Sequence, residues 1–153
     1  MSLPLTHYPD PVLATRGEKI KPDAIPGLLA LREKMLETMY RERGVGLAAQ
    51  QIGKAMQMCV IDVDGEVHTL INPKITSSSR EMHTDDEGCL SIPGKFFPIE
   101  RHWKVTVQYF DEHGERRKLR AKGLLARAIQ HECDHLNGTV ILNRYEEQRK
   151  RKQ

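Results

Sequence analysis

Residues Gly123 to Leu136 place the tightest constraint on how this chain can fold. Leu124, Leu125, Ala128, Ile129 and Leu136 recur at helical spacing, and Asn137-Gly138 ends the run. The polar positions of the same run are His131-Glu132-Cys133-Asp134-His135, an HExxH pattern. Residues i and i+4 share one helix face, so both imidazoles can reach one cation, and the glutamate beside the first can hold a proton near a metal-bound water. The competing reading is an exposed polar turn with two solvated histidines. The flanks Ala128-Ile129 and Leu136 weigh against it, because they call for burial.

The rest of the pattern supplies what such a helix packs against. From Asp23, read as an N-cap, apolar residues at Leu28, Leu31, Met35, Leu36, Met39 and Tyr40 predict a helix over 24–42, with Gly44 as its C′ residue. Met58 to Val63, then Asp64-Gly65, then Val67 to Ile71 reads as a hairpin. Val105 to Phe110 and Glu115 to Leu119, joined by Asp111-Glu112-His113-Gly114, read as a second. Strands interleaved with two helices indicate an α+β fold rather than a βαβ array. At 153 residues the chain fits one domain and buries enough surface to fold without a structural metal, so a metal here serves chemistry.

Two histidines leave a catalytic site short of a third protein ligand. The long HExxHxxGxxH form fails, because Ile141 stands where its histidine belongs. Glu146 and Glu147 are poorly placed in a charged C-terminal tail. Cys89 is the better candidate, in Asp85-Asp86-Glu87-Gly88-Cys89-Leu90-Ser91-Ile92-Pro93-Gly94, where Gly88 permits close approach and Pro93-Gly94 turns the chain. Cys59 lies in an apolar strand and reads as a buried thiol. Cys133 is about 200° around the helix from His131 and points away from the ligand face.

Gly44-Val45-Gly46-Leu47-Ala48-Ala49-Gln50-Gln51-Ile52-Gly53 follows the first helix. Its small residues let a peptide backbone lie close, and an amide side chain can donate to a developing oxyanion. It lacks both GxGxxG spacing and a following GK[ST], so a phosphate-cradling loop is unsupported.

Charge and cysteine content exclude other classes. The net charge is +3, but the last ten residues hold five basic and two acidic side chains, leaving 19 of each sign in residues 1–143. A neutral body argues against a nucleic-acid-binding surface spread over the fold, because phosphate binding needs a basic face. Three widely spaced cysteines exclude a disulfide framework, and no apolar stretch approaches the roughly 18 residues that span a bilayer. These features predict a soluble protein of a reducing compartment, the cytoplasm, with no membrane association.

Taken together and in order, Gly44-Val45-Gly46-Leu47-Ala48-Ala49-Gln50-Gln51, Glu87-Gly88-Cys89-Leu90-Ser91 and Gln130-His131-Glu132-Cys133-Asp134-His135 resemble the three motifs of the peptide deformylase family. The similarity extends to Pro9-Asp10-Pro11-Val12-Leu13 and covers about residues 4–143. The resemblance implies an α+β fold with antiparallel sheets packed around a central helix bearing the HExxH. It implies one catalytic domain, 1–143, and a basic C-terminal tail, 144–153. It implies removal of the N-formyl group from the formyl-methionine of nascent polypeptides, with release of formate. Cys89, His131 and His135 would then bind one divalent metal, Fe(II) in the family's physiological form, with Zn, Ni or Co also accommodated. Glu132 would move the proton, while Gln51 and the Leu90 N–H would donate to the tetrahedral oxyanion. Gly46 would lie beside the bound peptide, and Val45, Leu124 and Ala128 would shape a methionine pocket. The family's arginine at Arg101 would pair with Glu87 or Asp134.

Two positions depart from the family pattern. Asn143 replaces a common aspartate, and Phe96 stands near where some members carry a substrate-contacting arginine. Two other readings make different predictions: a general HExxH peptidase would cleave unformylated peptides, and a non-enzymatic binding module would bind no metal and release no formate. The basic tail suggests attraction to ribosomal RNA, against the alternative of a frayed, solvated helix end.

Overall fold

A computed structural model of the chain describes residues 2–152. It contains seven strands: β1 (Gly46–Ala48), β2 (Met58–Val63), β3 (Glu66–Ser78), β4 (Met82–Cys89), β5 (Ile92–His102), β6 (Lys104–Phe110) and β7 (Arg116–Lys122). Three α-helices accompany them: α1 (Leu29–Arg41), α2 (Gly123–Leu136) and α3 (Ile141–Arg151). Five strands form an antiparallel sheet in the order β1-β2-β3-β6-β7, and β4 pairs with β5 in a separate two-stranded sheet. Both expected hairpins are present. The first turns through Asp64 and Gly65, both with positive φ (54° and 84°), as a two-residue turn of this kind requires.

Helix α2 is the centre of the molecule. Ala126, Ile129, Cys133 and Leu136 form one stripe and pack against Cys59, Ile61, Leu70, Val105 and Val107 of the large sheet. Its other side faces the β4–β5 hairpin. The opposite face of the large sheet, through Met58, Val60 and Ile71, packs on Met35, Leu36 and Met39 of α1. A third cluster joins Leu13 and the hairpin residues Cys89, Ile92 and Ile99 to Val140 and Ile141. The C-terminal end of α2 is held by two buried amides: Gln50 and Gln57 both donate to the Leu136 carbonyl.

Several boundaries differ from the sequence reading. The expected helix over 24–42 is a 3₁₀ segment, Pro22–Leu28, followed by α1; Pro26 has no N–H to donate, and the regular helix starts beyond it. The left-handed residue ending α1 is Arg43 (φ 59°), not Gly44. The Arg43 N–H bonds to the Tyr40 carbonyl and the Gly44 N–H to that of Met39, a Schellman arrangement one residue earlier than expected. The chain after Cys89 turns at Leu90-Ser91, and Pro93-Gly94 forms a bulge in β5 that shifts the register from Gly88↔Phe96 to Cys89↔Ile92. The segment read as a tail from residue 144 continues α3: Gln148 is buried, accepting the Glu100 N–H and donating to the Pro98 carbonyl. Only the last charged turn projects. No helix among the described residues is long and apolar enough to cross a membrane.

Candidate active site

The stripe of α2 that turns away from the sheet carries Leu124, Ala128, His131 and Glu132, which line a cleft of about 420 Å³. Its opposite wall is the segment after α1, Val45, Gly46 and Gln51, and its end is the β4–β5 turn with Cys89 and Leu90. His135 sits one helical turn below His131, with Nε2 3.3 Å from the Cys89 sulfur. All ten residues singled out from the sequence therefore meet at one place. Val45, Leu124 and Phe96 are exposed and form an apolar rim. Of these, Phe96 was legible only as a departure from the family pattern; its ring closes over Gly88, where a Cβ would lie 2.6 Å from the ring.

The ligating atoms of Cys89, His131 and His135 all lie within 4.8 Å of one another. One sulfur and two imidazoles converging from a hairpin turn and a helix match a three-ligand catalytic metal site with an open position. The surroundings fit a cation as well. His131 Nδ1 is 2.8 Å from Glu87 Oε1, which leaves Nε2 to face Cys89 and His135. Burial lowers the pKa of His135 well below the ordinary histidine range and so favours the neutral, ligating ring. Burial also opposes a charge on His131, but hydrogen bonds with Cys89 and Glu87 outweigh it and raise its pKa.

Glu87 is the hub of a buried charge network. Arg101 grips it bidentately at 2.9 Å through Nε and Nη2, and Arg127 Nη1 approaches the same carboxylate at 2.6 Å. Burial raises the Glu87 pKa, but hydrogen bonds from His131 and Arg101 prevail and hold it well below the usual carboxylate range. Arg101 also reaches Asp134, at 2.6 Å, so it pairs with both acids between which the sequence left the choice open. Arg127 was missed: on a helix it reads as a solvated charge, and its partner lies 40 residues away. It also donates to the Ile99 and His83 carbonyls, stitching α2 to the small sheet.

Glu132 is fully enclosed. Its Oε1 has no hydrogen-bond partner among the described residues, and burial first of all pushes its pKa up to about 7, with a further push from Glu87. An acid poised near neutrality and aimed into a cleft is suited to taking up and returning a proton. Gly46 leaves the room it needs: the nearest neighbours of a Cβ built there are the Glu132 carboxylate atoms. Gln51 is oriented by its own backbone. Its Oε1 accepts the Ala48 N–H at 2.9 Å, so Nε2 turns toward the Cys89 sulfur (3.7 Å) and Ser91 Oγ (3.3 Å). Asn143 lies outside the site, its Oδ1 accepting the Val140 N–H at the start of α3.

The chain is similar in sequence and fold to known proteins. The family model described as polypeptide deformylase matches residues 2–151. A peptide deformylase of Opitutus terrae is 42% identical across 95% of this chain and 86% of its own length. One from Agrobacterium fabrum is 45% identical across 92% and 85%. Among solved structures, the Thermotoga maritima peptide deformylase superposes with a TM-score of 0.89 at 39% identity, covering 94% of this chain and 97% of that one. The Synechococcus elongatus peptide deformylase, solved in complex with actinonin, gives 0.88 at 43% identity, covering 94% and 78%. With the match running over nearly every residue that builds the cleft and the core behind it, the chain belongs to the polypeptide deformylase family.

Proposed function

We propose that the cleft over α2 is where this chain carries out the reaction of its family: hydrolysis of the N-formyl group from formyl-methionine at the start of nascent polypeptides, releasing formate. The observation that carries this reading is the convergence of Cys89, His131 and His135 beside the buried Glu132 carboxylate, whose Oε1 has no hydrogen-bond partner among the described residues. In it, those three residues hold one divalent metal, which supplies Lewis acidity and an activated water when bound. A mixed sulfur and imidazole set accepts Fe(II), and also Zn, Ni or Co. Fe(II) is the ion proposed here.

Each residue then has a task. Glu132 takes a proton at its free carboxylate oxygen and returns it to the departing amine. Gln51 Nε2 and the Leu90 N–H donate to the oxyanion of the tetrahedral intermediate. Gly46, at the edge of the large sheet, lets the substrate backbone lie against β1 in strand-like fashion. Val45, Leu124 and Ala128 receive the methionine side chain. Residues 1–143 carry the chemistry, and the exposed basic end of α3 offers attraction to ribosomal RNA in the cytoplasm, where nascent chains emerge. The test is formate release from a formyl-methionyl peptide by iron-loaded protein kept free of oxygen; absence of release with metal bound would overturn the reading.

A further inference from the structure

The neutral charge sum of residues 1–143 conceals a spatial segregation. Strand β7 is an edge of the large sheet, and its alternation sends Leu119 and Ala121 toward the core and Arg116, Lys118, Arg120 and Lys122 to the other face. Lys104 of β6 lies directly opposite Lys122, and Lys74 of β3 lies opposite Gln108, the partner of Lys118. All six cations are exposed. Helix α1 covers this face of the sheet only at β1, β2 and the start of β3. The two shallow hollows on the uncovered part are lined by residues among which there is no aspartate or glutamate. None of the six forms an ion pair with a described residue; Arg116 rests on the Phe110 ring at 5.5 Å.

A lysine-rich edge strand by itself serves to block edge-to-edge pairing. That accounts for β7 and not for Lys104 and Lys74, which are on inner strands. Two lysines placed directly across a strand pair also cost stability, and nothing in the fold repays it. Between the cations the face carries Ser77, Thr106 and Gln108, small or amide side chains suited to hydrogen-bonding phosphate oxygens. The two aromatic residues lining one hollow, Tyr109 and Phe110, are half-buried, and Arg116 lies over the Phe110 ring, which leaves poor platforms for stacking bases. We propose that this face is a docking surface for RNA, which grips the phosphodiester backbone without reading sequence. Alternate residues of β7 are about 7 Å apart, a row of cations able to track a phosphate chain.

The inference stands apart from the catalytic reading, and its test keeps the two separate. A fluorescein-labelled 16-base-pair RNA duplex is titrated with metal-loaded protein, and anisotropy is followed from 50 to 200 mM KCl. The expected result is micromolar-range binding at low salt that the variant K118Q/R120Q/K122Q weakens about tenfold or more, with the log–log salt slope falling by roughly 2–3. K74Q/K104Q, which leaves the edge strand intact, should lower the slope by about two-thirds as much. Formate release should be unchanged in both, because neither touches the cleft. Absence of duplex binding by the parent protein overturns the proposal. So does binding that both variants retain while R149Q/K150Q/R151Q abolishes it, or attachment to phosphatidylserine vesicles in place of the duplex.

Discussion

Gly46 has no side chain because Glu132 fills the space one would occupy: a Cβ there would collide with the carboxylate, with Glu132 Cδ 2.9 Å away. The carboxylate lines the cleft, so an added methyl can only push it away from the β1 wall and out of its present position. Gly46→Ala is therefore expected to tilt Glu132 out of position and lower kcat/KM about 100-fold, the scale associated with small misplacements of a reacting group. Bound metal, measured by elemental analysis, should remain near one per chain, since the three nearest atoms to a Cβ at Gly46 all belong to Glu132 and none to Cys89, His131 or His135. A wild-type rate in that variant would show that Glu132 does not act from this position.

Removing the charge from Glu132 should separate chemistry from stability. Its Oε1 is buried without a partner among the described residues, an arrangement that favours function over folding. Glu132→Gln is expected to reduce kcat by about 10²–10⁴. The same change should leave thermal stability equal or raise it by about 1 kcal/mol. Steady-state kinetics and a melting curve on one preparation check both halves.

The three cysteines should behave differently. Cys89→Ala is expected to lose the metal and with it all formate release. Cys133→Ala and Cys59→Ala, whose thiols lie in the apolar core under α2, should keep both. Their cost should appear only as about 1 kcal/mol of stability. Metal content of the three purified variants, measured side by side, decides it.

Arg101 and Arg127 share one carboxylate, so their effects should not add. Arg101→Met leaves Glu87 buried with a weakened counter-charge and should cost about 3–5 kcal/mol. Arg127→Met removes one charged hydrogen bond and two carbonyl contacts and should cost about 2 kcal/mol. Urea unfolding of the double variant should depart from the sum of the singles by more than about 0.5 kcal/mol, as expected for residues in one network. Simple additivity would show that Glu87 is not the shared hub.

What could be read from the sequence divides along physical lines. The β2–β3 and β6–β7 hairpins and helix α2 carry their signal locally, in apolar periodicity and in turns such as Asp64-Gly65, and all three are present. The β4–β5 hairpin carries none, because Met82–Cys89 has only two buried positions and draws its pairing from Ile92–His102 rather than from alternation of its own. The sequence predicts α1 too long because the 3₁₀ segment before it shares its apolar spacing and runs directly into it, with Pro26 inside that segment the one local sign of the change. Residues whose types alone suggest chemistry, His131, Glu132, His135 and Cys89, could be picked out. Gln57 and Arg127 could not: each is a polar residue whose role depends on carbonyls and carboxylates distant in sequence.

The most direct test of the account is formate release from a formyl-methionyl peptide, run beside cleavage of the same peptide without its formyl group, with Fe(II)-loaded protein under anaerobic conditions. The account predicts stoichiometric formate from the first, no hydrolysis of the second, and loss of the reaction in Cys89→Ala. Hydrolysis of both peptides at similar rates, or formate release that survives Cys89→Ala, would contradict it.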